Sequence, residues 1–453
     1  MQSLYPYQEA AVRTIGTAPA PTLNAFDPGL GKTRVAIETV KRRGYRRVLV
    51  FCPHSVVLVW ESEVVKWWPG HPPVIIARSA VVGSGEGVYI VSYGLMSEAT
   101  GNMAAHLADA RPFQATIIDE SHYLKNPTSN RSRRIFDLLR SDMLGWPHPM
   151  SATPAPNHAA ELWPLLFHLR PDLILSPVNN EPMLEHEFKS RYCVVEHFQV
   201  GQRMVERITG SKNLPELRAR IAPMLLMARK KDVLPELPPI DFTILPVDIS
   251  PSSLAALRVA TPRIAARHTA TQRFDQLDDD ALLAQLQAGV ARSEIHQLGF
   301  AKIPAVIEWV SDFLDSDPGR KLVLWCVHHG VIDAYERLLA QYAPVKFDGR
   351  DNLDARRSAI QRFMSGKAKI FVGQIQAGGT GLTLVAKGSP CSDVVFAESS
   401  FSPADNFQAS CRVHRIGQQD GVLVRMACAA GTLDDRIQEI LVRKAKDLAE
   451  LFG

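Results

Sequence analysis

Apolar positions gather along this chain in two series of short runs, separated by stretches with helical spacing. Thr22 to Phe26, Arg47 to Cys52, Val88 to Tyr93 and Ala115 to Asp119 form the first series. Lys321 to Cys326, Val345 to Phe347, Lys369 to Gly373, Ser392 to Glu398 and Val422 to Cys428 form the second. Runs that are apolar at consecutive positions suit strands buried on both faces. Their alternation with helical patterns predicts an α/β fold with two parallel sheets covered by helices. Met143 to Met150 is a weaker run: Pro147 and Pro149 cannot donate to a ladder, so only a short or edge strand is expected there. From Leu162 to Leu237 the spacing is mostly helical, and Leu282, Leu283, Leu286 and Val290 continue it. Leu234-Pro-Glu-Leu-Pro-Pro239 interrupts this stretch and puts a lobe boundary near 235–245. The expected order is a first lobe over 1–160, helical insertions and a connection over 161–300, and a second lobe over 301–453. In the last lobe Ile437, Ile440, Leu441, Leu448 and Leu451 share one helical face, which predicts a helix docked on that lobe.

The size is consistent with this division, since 453 residues exceed one ordinary domain and leave each lobe enough chain for its own core. A net charge of +4 is only mildly basic; it permits a nucleic-acid partner without requiring one. The six cysteines are scattered, with no Cys-x-x-Cys or Cys/His cluster, so neither a zinc site nor a disulfide framework is indicated. No signal peptide begins at Met1, and no apolar stretch approaches the ~20 residues of a membrane span. A soluble, intracellular protein is expected, cytoplasmic or nucleoid-associated in a bacterium and nuclear in a eukaryote.

Two segments carry candidate chemistry. Asp27-Pro28-Gly29-Leu30-Gly31-Lys32-Thr33 follows the first apolar run and precedes Val35, Ala36, Ile37 and Val40 at helical spacing. It therefore reads as strand, glycine loop, helix. Such a loop aims backbone N–H groups and a helix N-terminus at phosphate oxygens. Lys32 would meet the β and γ phosphates of a nucleoside triphosphate, and the Thr33 hydroxyl its Mg2+. Phe26 stands where the usual pattern has glycine, and a glycine turn without a ligand is the alternative reading. The second segment is Asp119-Glu120-Ser121-His122, at the end of the fourth run. Both carboxylates are then expected at the C-terminal edge of a buried parallel strand, where ligands of open α/β sheets collect. Asp119 suits Mg2+, and Glu120 suits orienting and deprotonating an attacking water; a solvated helix-capping pair is the alternative.

These segments fall in a longer order: Leu4-Tyr-Pro-Tyr-Gln8; Cys52-Pro-His-Ser55 with Trp60-Glu61; Asp119 through Lys125-Asn126; Ser151-Ala-Thr-Pro154 with Asn157 and Glu161-Leu-Trp163; Ala228-Arg-Lys-Lys231; Gly378 to Leu384; and Gln408 through Arg412-Val-His-Arg-Ile-Gly-Gln418. Nearly the whole chain thereby resembles the SWI/SNF-like family of superfamily 2 motors. Phe396-Ala-Glu398, Gly381-Leu-Thr-Leu384 and Arg412 to Gly417 are most similar to its HARP-type annealing-helicase branch.

The resemblance implies two RecA-like lobes, ATP and Mg2+ as cofactors, and a role for each matched residue. Gln8 reads adenine through its carboxamide. Pro28 to Thr33 hold the phosphates, with Thr33 and Asp119 on Mg2+. Arg412 and Arg415 act as arginine fingers from the second lobe, on one face if their stretch is helical. His122, Ser151, Thr153 and Gln408 couple the nucleotide state to the rest of the motor. Pro53 and Ser55 in the first lobe, and Gly379, Thr380 and Thr383 in the second, contact the DNA backbone without reading sequence. Trp60, Trp67, Trp68 and Trp163 invite a base-stacking reading, but tryptophan at helical spacing is more often core. Arg131, Arg133 and Arg134 either face DNA or make a solvated helix face.

The expected function is an ATP-dependent translocase on double-stranded or branched DNA. The motor of a restriction or defence assembly, with a separate targeting or nuclease subunit, is one alternative. A nucleotide-gated nucleic-acid-binding scaffold with low turnover is another. The glutamine of the first segment is residue 8 and the chain ends soon after the final arginines, so no histone-reading, zinc-finger or nuclease domain is expected.

Overall fold

The computed structural model describes residues 3–76, 82–200, 203–252, 292–378, 382–385, 391–439 and 441–442. The chain divides between Pro235 and Glu236 into two compact units. The α/β prediction is borne out in both: each is built on an all-parallel sheet flanked by helices.

The first unit contains β1 (Leu23–Asn24), β2 (Arg47–Cys52), β3 (Pro73–Ile75), β4 (Gly87–Ser92), β5 (Ala115–Asp119), β6 (Trp146–Met150), the hairpin β7 (Cys193–Val200) and β8 (Arg203–Ser211), and β9 (Leu225–Leu226). Its sheet runs β3-β4-β2-β5-β6-β1-β9. Side chains leave a strand on alternate faces, and β2 shows what that does here. Val48, Val50 and Cys52 enter one core with Trp60 and Val64, while Leu49 and Phe51 enter another with Tyr93 and Phe136. The unbroken apolar run from Val48 to Cys52 is thus required by a sheet covered on both sides.

Of the two expectations for the run ending at Met150, the short strand is found and the edge position is not: β6, five residues long, lies inside the sheet between β5 and β1. Successive N–H groups of a strand point to opposite sides. Trp146 donates towards β5, to Gln114 O at 3.0 Å, and Ser151 donates towards β1, to Asn24 O at 3.1 Å. Pro147 and Pro149 share the parity of Ser151. They therefore face β1, whose pairing with β6 is confined to Asn24 and Met150. The prolines sit where no ladder bond is demanded, which reconciles them with an interior strand.

Between Leu162 and Leu237, short helices such as Glu185–Tyr192 and Leu214–Ile221 match the helical spacing. The antiparallel hairpin β7–β8 was not signalled by it. Nor was β9, which pairs in parallel with β1 at the sheet edge.

In the second unit β10 (Ile240–Pro246), β11 (Leu322–Cys326), β12 (Val345–Phe347), β13 (Ile370–Gln374), β14 (Asp393–Phe396) and β15 (Val422–Cys428) form a sheet ordered β10-β15-β14-β11-β13-β12. Leu322, Leu324 and Cys326 of β11 face one core, Val323 and Trp325 the other. Residues 433–439 are helical and bury Ile437; Leu441 is also buried. Ile440, Leu448 and Leu451, with the periodic leucines at 282, 283 and 286 and Val290, lie outside the described residues. Among the described residues no helix is long and apolar enough to cross a membrane.

His148 on β6 gives the first unit a pH signature. It is fully buried and stacks on Trp146 at 5.5 Å. Burial, then the charge of Arg43, lowers its imidazole from 6.5 to about 4. The unfolded chain therefore takes up a proton near pH 6.5 that the folded chain refuses until near pH 4. Stability is lost as pH falls through that window. Asp119 works in the opposite direction, since its carboxyl is raised in the fold. The two are separated by comparing wild type with His148→Phe in urea unfolding. From pH 7 to pH 5 wild type should lose about 2 kcal/mol more than the variant. Parallel pH profiles would show that His148 carries no such penalty.

Candidate active site

β1 runs into the glycine loop, and helix Lys32–Arg42 starts directly from it. Gly29 (φ 92°) and Gly31 (φ 81°) supply the left-handed backbone that turns the chain back on itself. Gly31 is needed for space as well, because a Cβ there would lie 2.5 Å from Gln8 Nε2. The carboxamide of Gln8 is buried and engaged: Nε2 donates to Leu30 O at 3.0 Å and Oε1 accepts from Tyr5 N–H at 3.1 Å. Gln8 thus ties helix Pro6–Thr17 to the loop. Lys32 Nζ folds back onto Phe26 O at 2.8 Å and Asp27 O at 3.5 Å. The first N–H groups of any helix lack intrahelical partners, so those of helix Lys32–Arg42 point out of its start, beside this ammonium.

The loop is also held from a distant part of the chain. Alongside β9, Asp27 N–H donates to Ala228 O at 3.0 Å, and Lys230 N–H donates to Asp27 Oδ2 at 2.9 Å. The Ala228-Arg-Lys-Lys231 segment is therefore a buttress for the glycine loop.

Asp119 ends β5, and Glu120 follows with φ 49°, a left-handed conformation that costs a glutamate of order 1 kcal/mol or more. Both carboxylates are buried. Asp119 Oδ2 accepts from Trp60 Nε1 at 2.8 Å, and its carbonyl accepts from Tyr93 O–H at 2.7 Å. Burial, then the charge of Glu120, raises the Asp119 carboxyl to about 7, against the pull of Trp60 and Lys32. Two buried acids side by side with one ammonium nearby leave negative charge to be balanced by a cation. Glu120 Oε2 receives Ser151 Oγ at 3.3 Å and lies 3.3 Å from His122 Nδ1, which is itself 2.9 Å from Ser151 Oγ. Thr153 N–H donates to the same Ser151 oxygen at 3.1 Å. The acid pair, His122, Ser151 and Thr153 form one connected cluster at the carboxyl edge of the sheet.

Trp60, grouped by the resemblance with the DNA-contacting Pro53 and Ser55, instead donates its ring N–H into this cluster. Its spacing with Val57 and Val64 fits a buried helix face, and it is 1% exposed, so base stacking is excluded in this fold. Trp163 is also buried, donating to Met183 O, and Trp67 is covered by Arg34. Pro53 is buried and Ser55 half-buried in the turn His54–Val56 at the end of β2. Arg134 is occupied with the carbonyls of Met96 and Glu98, while Arg133 is exposed.

In the second unit, helix Pro403–Ser410 carries buried Gln408. It ends before the arginines, so the condition of a shared helical face is not met: 411–417 is a run of turns and bends. Arg412 is buried, with Nη1 3.3 Å from Leu382 O. Arg415 is half-buried; Nε donates to Cys411 O at 3.1 Å and Nη1 to Thr383 Oγ1 at 2.8 Å. Thr383 is exposed, while Gly379 and Thr380 lie outside the described residues.

A family model described as "SNF2-related domain" matches residues 22–282. The chain is 31% identical, over 99% of its length, to the SWI/SNF-related matrix-associated actin-dependent regulator of chromatin subfamily A-like protein 1 of Xenopus tropicalis, of which it covers 45%. It is 26% identical, over 93% of its length, to the human DNA annealing helicase and endonuclease ZRANB3, covering 38%. The chain thus spans less than half the length of these curated relatives. Among solved structures, the Sulfolobus solfataricus SWI2/SNF2 ATPase core in complex with dsDNA is matched at 20% identity, with 99% of this chain and 94% of that one covered and a TM-score of 0.43.

Proposed function

The chain belongs to the SNF2-related family, and from that premise we propose that it is a DNA-dependent ATP hydrolase that moves along double-stranded or branched DNA. The observation that carries this reading is the pairing of a glycine loop ending in Lys32 and Thr33 with the buried acids Asp119 and Glu120, in one unit and at one sheet edge. The hydroxyl of Thr33 and the carboxylate of Asp119 are hard oxygen donors of the kind Mg2+ takes, and the raised Asp119 carboxyl marks a place where positive charge is wanted. When bound, Mg2+ would neutralise the phosphate tail and orient its β and γ oxygens.

The remaining work falls to the chain. The N–H groups at the start of helix Lys32–Arg42 receive phosphate oxygens. Lys32 exchanges the carbonyls of Phe26 and Asp27 for the β and γ phosphates. Glu120, aimed by Ser151 and His122, orients the attacking water and takes its proton. The guanidinium groups of Arg412 and Arg415 stabilise the charge on the phosphoryl group in flight. Pro53, Ser55, Gly379, Thr380 and Thr383 contact the DNA backbone, which gives tracking without sequence reading.

Movement is tested by displacement of a third strand from a triplex on duplex DNA. ATP should release that strand, whereas a non-hydrolysable analogue, or ATP with Lys32→Ala, should not. Hydrolysis without release would mean that the protein does not travel along the duplex.

A further inference from the structure

Lys125, Asn157 and Glu161 have no part in the nucleotide chemistry above, yet the half-buried Lys125 and Asn157 meet beside it on the buried Glu161. Lys125 follows the turn Ser121–Leu124, which starts from Glu120. Asn157 lies beyond Ser151 and Thr153, and Glu161 sits in the next turn, Ala159–Leu162. The Glu161 carboxylate is 8% exposed. Its Oε1 accepts from Lys125 Nζ at 2.7 Å and from Asn157 Nδ2 at 2.7 Å, and its Oε2 accepts from Asn157 N–H at 2.8 Å. Burial alone would raise this carboxyl, but the charges of Lys125 and His158 and the donated hydrogen bonds outweigh burial and hold it below the usual range. A buried charge whose acceptors are taken by two different segments is a fixed point for both, since moving either one strands the charge. The same turn is pinned from its other side, where Ala159 N–H donates to Ser211 Oγ at 2.9 Å at the base of the hairpin.

We propose that Glu161 is a positioning residue for hydrolysis: by holding Lys125 and Asn157 it fixes the spacing of segments 120–126 and 151–157, and with it the contact of Ser151 with Glu120 and His122. This inference rests on the ATP-hydrolase reading above. The path from the knot to the reacting carboxylate is short on both sides. Lys125 is one turn from Glu120, and Asn157 is one loop from Ser151, whose hydroxyl touches Glu120. Losing the carboxylate charge leaves the Lys125 ammonium without its partner and frees the two segments to drift apart. The side-chain hydrogen bonds and ion pair of Glu161 run to Lys125 and Asn157, and none to the glycine loop. The effect should therefore fall on the chemical step and spare ATP binding.

Glu161→Gln in the full chain tests this, because glutamine keeps the shape and one acceptor oxygen but not the charge. The DNA-stimulated kcat is expected to fall about 10- to 100-fold, as for any sub-ångström to ångström misplacement of a reacting group. KM for ATP should stay within about twofold of wild type. Amide hydrogen exchange should quicken in peptides covering 121–126 and 151–157, and not in the glycine loop. Lys125→Met should give the same pattern and, combined with Glu161→Gln, no further loss, since the two residues act as a unit. Lys125→Met leaves Glu161 both bonds from Asn157, so it carries the test if Glu161→Gln does not fold.

A kcat within about twofold of wild type, with exchange quickened, would reduce the knot to a structural one and overturn the proposal. A raised KM with unchanged kcat would overturn it as well. Failure of the functional reading is seen separately, in wild type: if that protein hydrolyses no ATP with DNA present, the reading has failed before any variant is compared, and the positioning role falls with it.

Discussion

Arg415→Ala is expected to lower the DNA-stimulated kcat by ~10³-fold or more while leaving KM for ATP little changed, the range measured for arginine fingers in phosphoryl transfer being ~10³ to 10⁵. The two arginines are held differently. Arg412 is buried against the carbonyl of Leu382, so its removal also disturbs the turn that carries it. Arg415 is half-buried and fastened at its tip to the exposed hydroxyl of Thr383, a bond that a phosphate oxygen can replace at small cost. Arg415→Ala should therefore separate catalysis from stability more cleanly than Arg412→Ala. Arg415→Lys should not restore the rate, because an ammonium lacks the planar fork that meets two phosphoryl oxygens together. Steady-state kinetics with a thermal melt on each variant decide the matter. A loss under about tenfold would remove Arg415 from the chemical step.

The second large effect is expected at Glu120. Glu120→Gln keeps the side-chain shape, the left-handed backbone and a donor–acceptor pair for Ser151 and His122, but it cannot take a proton. General-base catalysis is worth about 10² to 10⁴ in rate, and kcat should fall by that much. Nucleotide binding should survive, because the glycine loop, Lys32 and Asp119 are untouched. Single-turnover hydrolysis beside equilibrium binding of an ATP analogue separates the two quantities. Hydrolysis at the wild-type rate would assign the proton transfer elsewhere, whereas lost binding would make Glu120 part of the nucleotide cradle.

Local features were legible before the fold was known. Strands such as Arg47–Cys52 and Ala115–Asp119 carry consecutive apolar residues, Val48 to Cys52 and Ile117 to Ile118, because both faces of the sheet are covered, and the same residues form β2 and β5. The strand, glycine loop and helix around Lys32 are contiguous in sequence, so composition and spacing defined them. What escaped is long in sequence separation or depends on a neighbour. Trp60 could be read as buried, but not that its ring N–H ends on Asp119. Asp27 and Lys230 stand far apart in the chain and meet only because β9 adds to the sheet edge beside β1. Glu161 stood out in the sequence only as part of the segment Glu161-Leu-Trp163, and its value as a fixed point exists only once Lys125 and Asn157 converge on it. The prolines of β6 left a short strand or an edge strand open because sequence does not say which side of a strand its neighbour leaves unpaired.

ATP hydrolysis driven by DNA is expected to run through the Lys32 and Asp119–Glu120 site. Its most direct test is steady-state ATP hydrolysis at moderate salt without nucleic acid, then with single-stranded DNA, duplex DNA, forked DNA and RNA, each beside Lys32→Ala. Strong stimulation by duplex or forked DNA that vanishes in Lys32→Ala is the predicted result. No stimulation by any DNA, or stimulation by RNA alone, would contradict it.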